Sequence, residues 1–320
     1  MKTLTTVAEL RTACEEARAS GLRVGLVPTM GFLHEGHRSL MQAARRADDF
    51  VVVTIFVNPL QFGPQEDLAA YPRDLERDAA VAAAEGVAVL FAPSVTEMYP
   101  EPPRTTVHVA GLTEGLCGVA RPTHFDGVTT VVAKLFSITG ACRAYFGRKD
   151  AQQLAVVTRM AQDLNLPVEI VGCPLVRESD GVAMSSRNAY LDPEDRRAAR
   201  VLSRALRAAA TAIEGGERDA ATLRAGIEVS VGAVDRVALE YVEVRNAFDL
   251  EPVAKLRGPT LIALAARVGR ARLIDNITVT FAPGGAARID LGIEAASVDP
   301  APTETSSSLF CESETTCAAG

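Results

Sequence analysis

The sequence predicts an α/β protein: an open, doubly wound parallel sheet of Rossmann-like organisation, followed by a smaller α+β domain. Three observations carry that reading. The apolar runs "RVGLVP" (23–28) and "FVVVTIFV" (50–57) are continuous rather than alternating, as in strands covered on both faces. Between them, residues 34–47 place Leu40, Met41, Ala44 and Ala47 at helical spacing. The alternation then recurs, with helices expected near 73–85, 126–138 and 150–163 and strands at 87–91, 143–147 and 168–172. Such a sheet binds ligands outside the carboxyl ends of its strands.

After residue 175 the texture changes. Ala- and Arg-rich stretches at 193–214 and 219–231 read as helices, and "LEYVEVR" and "TLIALAARV" as strands. The expected division is a first domain over 1–175, a second over 176–283 closing across the site from a hinge near 174–180, and a tail over 284–320. From about 295 the tail is rich in Ser, Thr, Ala and Glu, a composition expected to be disordered. No internal repeat is present.

The chain has 320 residues and a formal net charge of −7, with 33 Lys and Arg against 40 Asp and Glu. That balance argues against an extended nucleic-acid surface, which works by neutralising phosphates with clustered cations. The six cysteines form no CxxC pair, the N-terminus lacks the apolar core of a signal peptide, and no window approaches the ~20 apolar residues of a membrane span. The expectation is a cytoplasmic protein with free thiols.

Four stretches carry the candidate chemistry. In "HEGH", His34 and His37 stand three apart at a helix start, where free N–H groups and the helix dipole attract phosphate. A zinc site needs HExxH spacing and a third ligand, and a helix cap with an exposed neighbour remains the plain alternative. "FVNPLQFG" follows the second strand, so Asn58 and Gln61 present neutral amides suited to hydroxyls or a carboxylate. "YFGRKDAQQL" repeats the layout with Gly147 for close approach, Lys149 as a point charge, Asp150 at the expected N-cap and Gln153 one turn in. "SDGVAMSSRNAYL" supplies Ser185, Ser186 and Arg187 at the hinge, two hydroxyls and a planar guanidinium for bridging phosphate oxygens. Each alone is weak; together they converge on an anionic ligand at strand ends.

The motifs "PTMGFLHEGH", "IFVNPLQFG", "YPRDLERD", "RPTHFDGV", "FGRKDAQQL" and "VRESDGVAMSSRN" resemble, in order and from about residue 1 to 280, the pantoate–β-alanine ligase family. That family belongs to the nucleotidylyltransferase-like folds, whose HxGH and KMSKS-type signatures correspond to His34–His37 and Met184–Arg187. The resemblance implies an AMP-forming ligase that joins pantoate to β-alanine through a pantoyl adenylate. It also implies ATP as co-substrate, with Mg²⁺ screening the phosphates, and a homodimeric assembly.

By the same resemblance, His34, His37, Lys149, Ser185, Ser186 and Arg187 are the catalytic phosphate donors. ATP would lie along Met30, Gly31, Phe32, Leu33, Glu35 and Gly36 as well as the two histidines. It would also touch Gly147, Arg148, Asp150, Val176 and Met184. Gln61 and Gln153 form the pantoate clamp, with Met30 and Asn58 in its wall and Arg121 as a rim cation; Asp78 would be a magnesium-side carboxylate. Departures stand at Arg148, where the family commonly has Glu, and at Arg77 and Val81 beside Asp78. The extension past residue 283 is outside the pattern. "FVVVTIFV" is expected near a subunit contact. The rivals are a synthetase-like or other nucleotidylyltransferase acting on another acceptor, and a non-enzymatic nucleotide sensor lacking the glutamine pair.

Overall fold

The computed structural model describes residues 1–63, 66 and 68–295. Its first half is a six-stranded parallel sheet assembled from β1 (Lys2–Leu4), β2 (Val24–Thr29), β3 (Phe50–Ile55), β4 (Val89–Phe91), β5 (Cys142–Gly147) and β6 (Val168–Cys173). The order is β1-β4-β3-β2-β5-β6. The chain therefore winds outward from β2 in one direction through β3 and β4 and in the other through β5 and β6. The switch point lies between β2 and β5, where a doubly wound sheet opens a crevice.

Helices cover both faces, which explains the continuous apolar strands. Helices α1 (Val7–Ala19), α6 (His124–Thr139) and α7 (Ala151–Asp163) pack on one side, and α2 (Glu35–Ala47) and α3 (Leu75–Ala84) on the other. Val52 of β3 faces the first layer, Val51 and Val53 the second, and all three are fully buried. Within this chain β3 lies inside the sheet between β2 and β4, so its centre offers no free edge for the subunit contact expected near 50–57. Two one-turn helices, α4 (Val95–Met98) and α5 (Cys117–Ala120), sit in the connection between β4 and α6.

The unforeseen elements are β1 and α1. Their sequence signal is a capping box: the Thr6 hydroxyl accepts the Glu9 N–H, and the Glu9 carboxylate accepts the Thr6 N–H at 3.0 Å.

The second half begins at β7 (Val176–Arg177). The long helix α8 (Pro193–Glu214) starts on an Asp192 cap with proline at its first position, and α9 (Ala220–Gly232) follows on an Asp219 cap. Both pack on an antiparallel sheet of order β11-β10-β9-β8, formed by β8 (Val237–Asn246), β9 (Thr260–Val268), β10 (Ala271–Phe281) and β11 (Ala287–Asp290). A last strand, β12 (Ile293–Glu294), runs parallel to β7. Residues 287–294 are thus structured, a correction to the reading of everything past 283 as tail; the stretch expected to be disordered from about 295 lies almost wholly outside the described residues.

A buried bidentate pair ties β7 to β10. Arg177 and Asp275 are both almost fully buried, and the guanidinium donates to the two carboxylate oxygens at 2.7 and 2.9 Å. Burial pushes the Asp275 carboxyl up, an effect the adjacent guanidinium opposes.

Candidate active site

The cleft lies over the carboxyl ends of β2, β3 and β5 and is roofed from the second half of the chain. It has a volume of about 230 Å³ and opens into a cavity of about 700 Å³ walled by Tyr241, Arg267, Arg270 and Arg272.

The turn after β2 delivers the two histidines. His34 is the N-cap of α2, and its Nδ1 accepts the Gly36 N–H at 3.1 Å; His37, three residues on, accepts the His34 N–H on its own Nδ1 at 3.3 Å. This is a capping box made from imidazoles. It also assigns the tautomers: a neutral ring that accepts on Nδ1 carries its proton on Nε2. Burial, with His37, Lys149 and Arg77 nearby, lowers the His34 pKa from 6.5 to about 2; burial and Lys149 lower that of His37 to about 4. Both rings line the cleft, 4.0 Å apart between centroids, as neutral N–H donors.

The loop after β3 shows which amide faces the cleft. Asn58 is fully buried and accepts from the Tyr99 hydroxyl at 3.0 Å, while its Nδ2 donates to the Gly127 carbonyl at 2.9 Å and to Gln61 Oε1 at 3.3 Å. It does not reach the cleft, contrary to expectation; it holds Gln61, which does, beside Met30. Gly127 makes this possible, because a Cβ there would fall 2.3 Å from the Leu60 carbonyl oxygen. Arg121 lines the rim paired with Glu66, Nε to Oε1 at 2.6 Å.

From β5, Gly147, Lys149, Asp150 and Gln153 enter the cleft. Asp150 occupies the N-cap position of α7 but makes no capping hydrogen bond; its carboxylate lies 3.4 Å from Lys149 Nζ instead. Asn276, from β10, donates to the carbonyls of Arg148 and Lys149 at 3.0 and 2.9 Å. The Arg148 side chain turns away from the cleft and pairs with Asp290 at 3.0 Å. Its placement among nucleotide contacts is therefore corrected.

The hinge segment brings Val176, Met184, Ser185, Ser186 and Arg187 to the same cleft. Ser185 Oγ accepts the Arg187 N–H at 3.3 Å, and Ser186 Oγ lies 3.4 Å from the Tyr71 hydroxyl. Asn188 donates to Glu178 at 2.7 Å, and Arg196 bridges Glu178 and Asp180, so the loop is braced at its base.

Four further expected contacts do not reach the cleft. Gly31 and Phe32 form a left-handed turn, Leu33 is in the core, and Glu35 pairs with Arg38 on the outer face of α2. Asp78 explains the turn: its carboxylate accepts the Phe32 and Leu33 N–H groups at 2.6 and 2.7 Å while almost fully buried. That brace corrects its reading as a magnesium-side ligand, because both oxygens are committed to backbone. Among the described residues, no three His, Cys, Asp or Glu side chains converge as a metal site.

Three groups escaped the sequence reading. His124 lines the cleft and donates from Nδ1 to the Gln61 carbonyl at 2.9 Å, leaving its Nε2 lone pair as acceptor; burial first, then Arg121, lowers its pKa to about 4. Val128, Val131, Val132 and Leu135 of α6 make an apolar wall, a spacing indistinguishable in sequence from ordinary core. Gln152, beside Gln153, is buried and fixes the loop before α5 through the Leu112 and Gly115 carbonyls and the Cys117 N–H.

Fold and cleft define a class: a doubly wound α/β protein whose binding crevice, at the switch point, is shared with an α+β domain. The sequence profile of the Pantoate-beta-alanine ligase family matches residues 2–278. The chain is 57% identical over 279 residues to the pantothenate synthetase of Heliobacterium modesticaldum, covering 87% of this chain and 99% of that one, and 54% identical to that of Moorella thermoacetica over the same length. Among solved structures, pantothenate synthetase from Thermus thermophilus is similar with a TM-score of 0.82 at 50% identity, covering 86% of this chain and 98% of that one. Pantoate-beta-alanine ligase from Francisella tularensis, complexed with Beta-gamma ATP and Beta-alanine, has a TM-score of 0.71 at 32% identity, covering 86% and 97%. The chain belongs to the pantoate–β-alanine ligase family.

Proposed function

We propose that this chain condenses pantoate with β-alanine, using ATP, through a pantoyl-adenylate intermediate. One observation carries the reading: imidazole donors from α2, Lys149 from the other side of the switch point, and Ser185–Arg187 from the hinge line one cleft with the amides of Gln61 and Gln153. Phosphate donors beside a neutral acid-binding pair are what adenylation of a carboxylate requires.

In the first step a pantoate carboxylate oxygen forms a bond to the α-phosphorus of ATP, and the bond to the departing pyrophosphate breaks. Negative charge rises on the phosphate oxygens, so preorganised donors lower the barrier. The Nε2–H groups of His34 and His37 supply such donors without charge; Lys149 and Arg187 supply it. Gln61 and Gln153 hold pantoate's hydroxyl and carboxylate, and the valine face of α6 receives its dimethyl carbon. In the second step the β-alanine nitrogen attacks the acyl carbon, AMP leaves, and the nitrogen loses its proton. His37 is not the acceptor of that proton, since its Nδ1 lone pair serves the cap and its Nε2 already carries hydrogen.

The donor set does not form a protein cage for magnesium, which is ordinarily held by substrate phosphates and one or two carboxylates. The ion would accompany the triphosphate, with Asp150 a carboxylate that lines the cleft. We infer a cytoplasmic homodimer from the family likeness; sedimentation analysis at micromolar concentration tests the assembly.

Incubation with ATP, Mg²⁺ and pantoate, with and without β-alanine, tests the function. About one equivalent of pyrophosphate without the amine, then turnover to AMP with it, is expected. Absence of pantoate-dependent pyrophosphate overturns it.

A further inference from the structure

Residues 287–294 add a further tie between parts of the molecule that the Arg177–Asp275 pair and Asn276 already bring together. β11 extends the second domain's sheet by pairing with β10 from Thr278↔Asp290 to Phe281↔Ala287. Two residues later β12 pairs in parallel with β7, Ile293 opposite Val176, and the Ile293 N–H donates to the Leu175 carbonyl at 2.8 Å. Arg177 Nε donates to the Leu291 carbonyl at 2.6 Å, and Asp290 pairs with Arg148 at 3.0 Å. The turn between the strands is built for this contact: Gly292 has φ +79°, and a Cβ there would fall 2.4 Å from the Leu175 carbonyl oxygen. The family profile ends at residue 278, so the segment lies beyond what it describes.

The two anchor points flank the cleft. Val176 lines it, and Arg148 precedes Lys149, which also lines it. We propose that 287–294 is a strap that fixes these two walls, with Asp290 a positioning residue acting on Lys149 through Arg148. The inference rests on the nucleotide reading of the cleft given above. It assigns the segment a role in ATP affinity through Lys149 rather than in the pantoate contact of Gln61, which lies on the other side of the switch point.

Four forms of the full-length protein, wild type, D290A, R148D and R148D/D290R, and two truncations, after residue 283 and after 295, make the test. ATP binding is titrated without pantoate, hydrogen exchange is followed at 173–178, and KM and kcat are separated in pyrophosphate release. D290A is expected to weaken ATP binding about two- to fivefold, as suits a partly exposed ion pair. Its pantoate KM stays unchanged, its kcat falls by a similar or smaller factor, and the double variant recovers most of what R148D loses. Truncation after 283, but not after 295, weakens ATP binding about tenfold and speeds exchange at 173–178.

Unchanged ATP binding in D290A, or no recovery in the double variant, overturns the role of Asp290. Unchanged exchange after the shorter truncation overturns the strap. If truncation after 283 prevents folding, D290A and a Gly292→Ala variant decide, the latter expected to raise exchange at 173–178. A wild type that binds ATP but releases no pyrophosphate with pantoate defeats the ligase reading and leaves the strap standing.

Discussion

His37 is where tautomer, charge and chemistry meet in one side chain. On the proposed function its Nε2–H serves as a phosphate donor in both half-reactions, so His37→Ala should slow adenylate formation and amide formation by similar factors. Single-turnover measurements of each, starting the second from preformed adenylate, check this; loss confined to the second would make it a base for the amine instead. Asp78 makes the opposite prediction for a residue expected to matter for metal. Asp78→Asn replaces one acceptor facing a backbone N–H with a donor, and should cost about 2–4 kcal/mol of stability in denaturant unfolding while leaving the magnesium dependence unchanged. These residues show why residue roles are only partly legible in the sequence. His34, His37, Gln61, Lys149, Gln153 and Ser185–Arg187 reach the cleft because a strand end or helix start dictates where they emerge. Asn58 and Asp78 look identical to ligands in sequence, and only the third dimension reveals that their oxygens already have backbone or side-chain partners.

Elements are legible where periodicity or composition is strong. β3, α2, α7, α8 and α9 lie within a residue or two of expectation, because apolar spacing and caps such as Asp192–Pro193 act locally. β1 and α1 are harder to read, because three residues give no period and the Thr6–Glu9 box is a short signal standing alone. The short strands β11 and β12 are hidden for another reason: each is stable only through the partner strand it joins, which no local pattern announces. The close approach of α6 to the loop at 58–61 is likewise invisible until the two elements meet. Gly127→Ala should drive them apart, raising the pantoate KM by at least tenfold with a smaller change for ATP, as steady-state kinetics with each substrate varied would show.

At the scale of the whole molecule, titration links the site to stability. The pKa values of His37 and His124 are lowered from 6.5 to about 4, and that of His34 to about 2. As pH falls below about 6.5 the unfolded chain takes up protons that the folded chain refuses. Stability is therefore complete above that pH and declines towards pH 4, on the order of 1 kcal/mol per pH unit for each histidine. Melting temperature measured between pH 7.5 and 4.5 should follow that slope, and His124→Gln should make it shallower. The hinge pair sets a second global term: Asp275→Ala leaves the Arg177 guanidinium buried without its carboxylate, a loss expected at about 3–5 kcal/mol in chemical denaturation.

The reciprocal histidine cap at the start of α2 bears on turnover as well as binding. Because the two rings already satisfy the Gly36 and His34 amides, departure of a product strands neither of those main-chain donors. The grip can let go without first recruiting solvent to repair itself, and the same geometry stands ready for the next nucleotide.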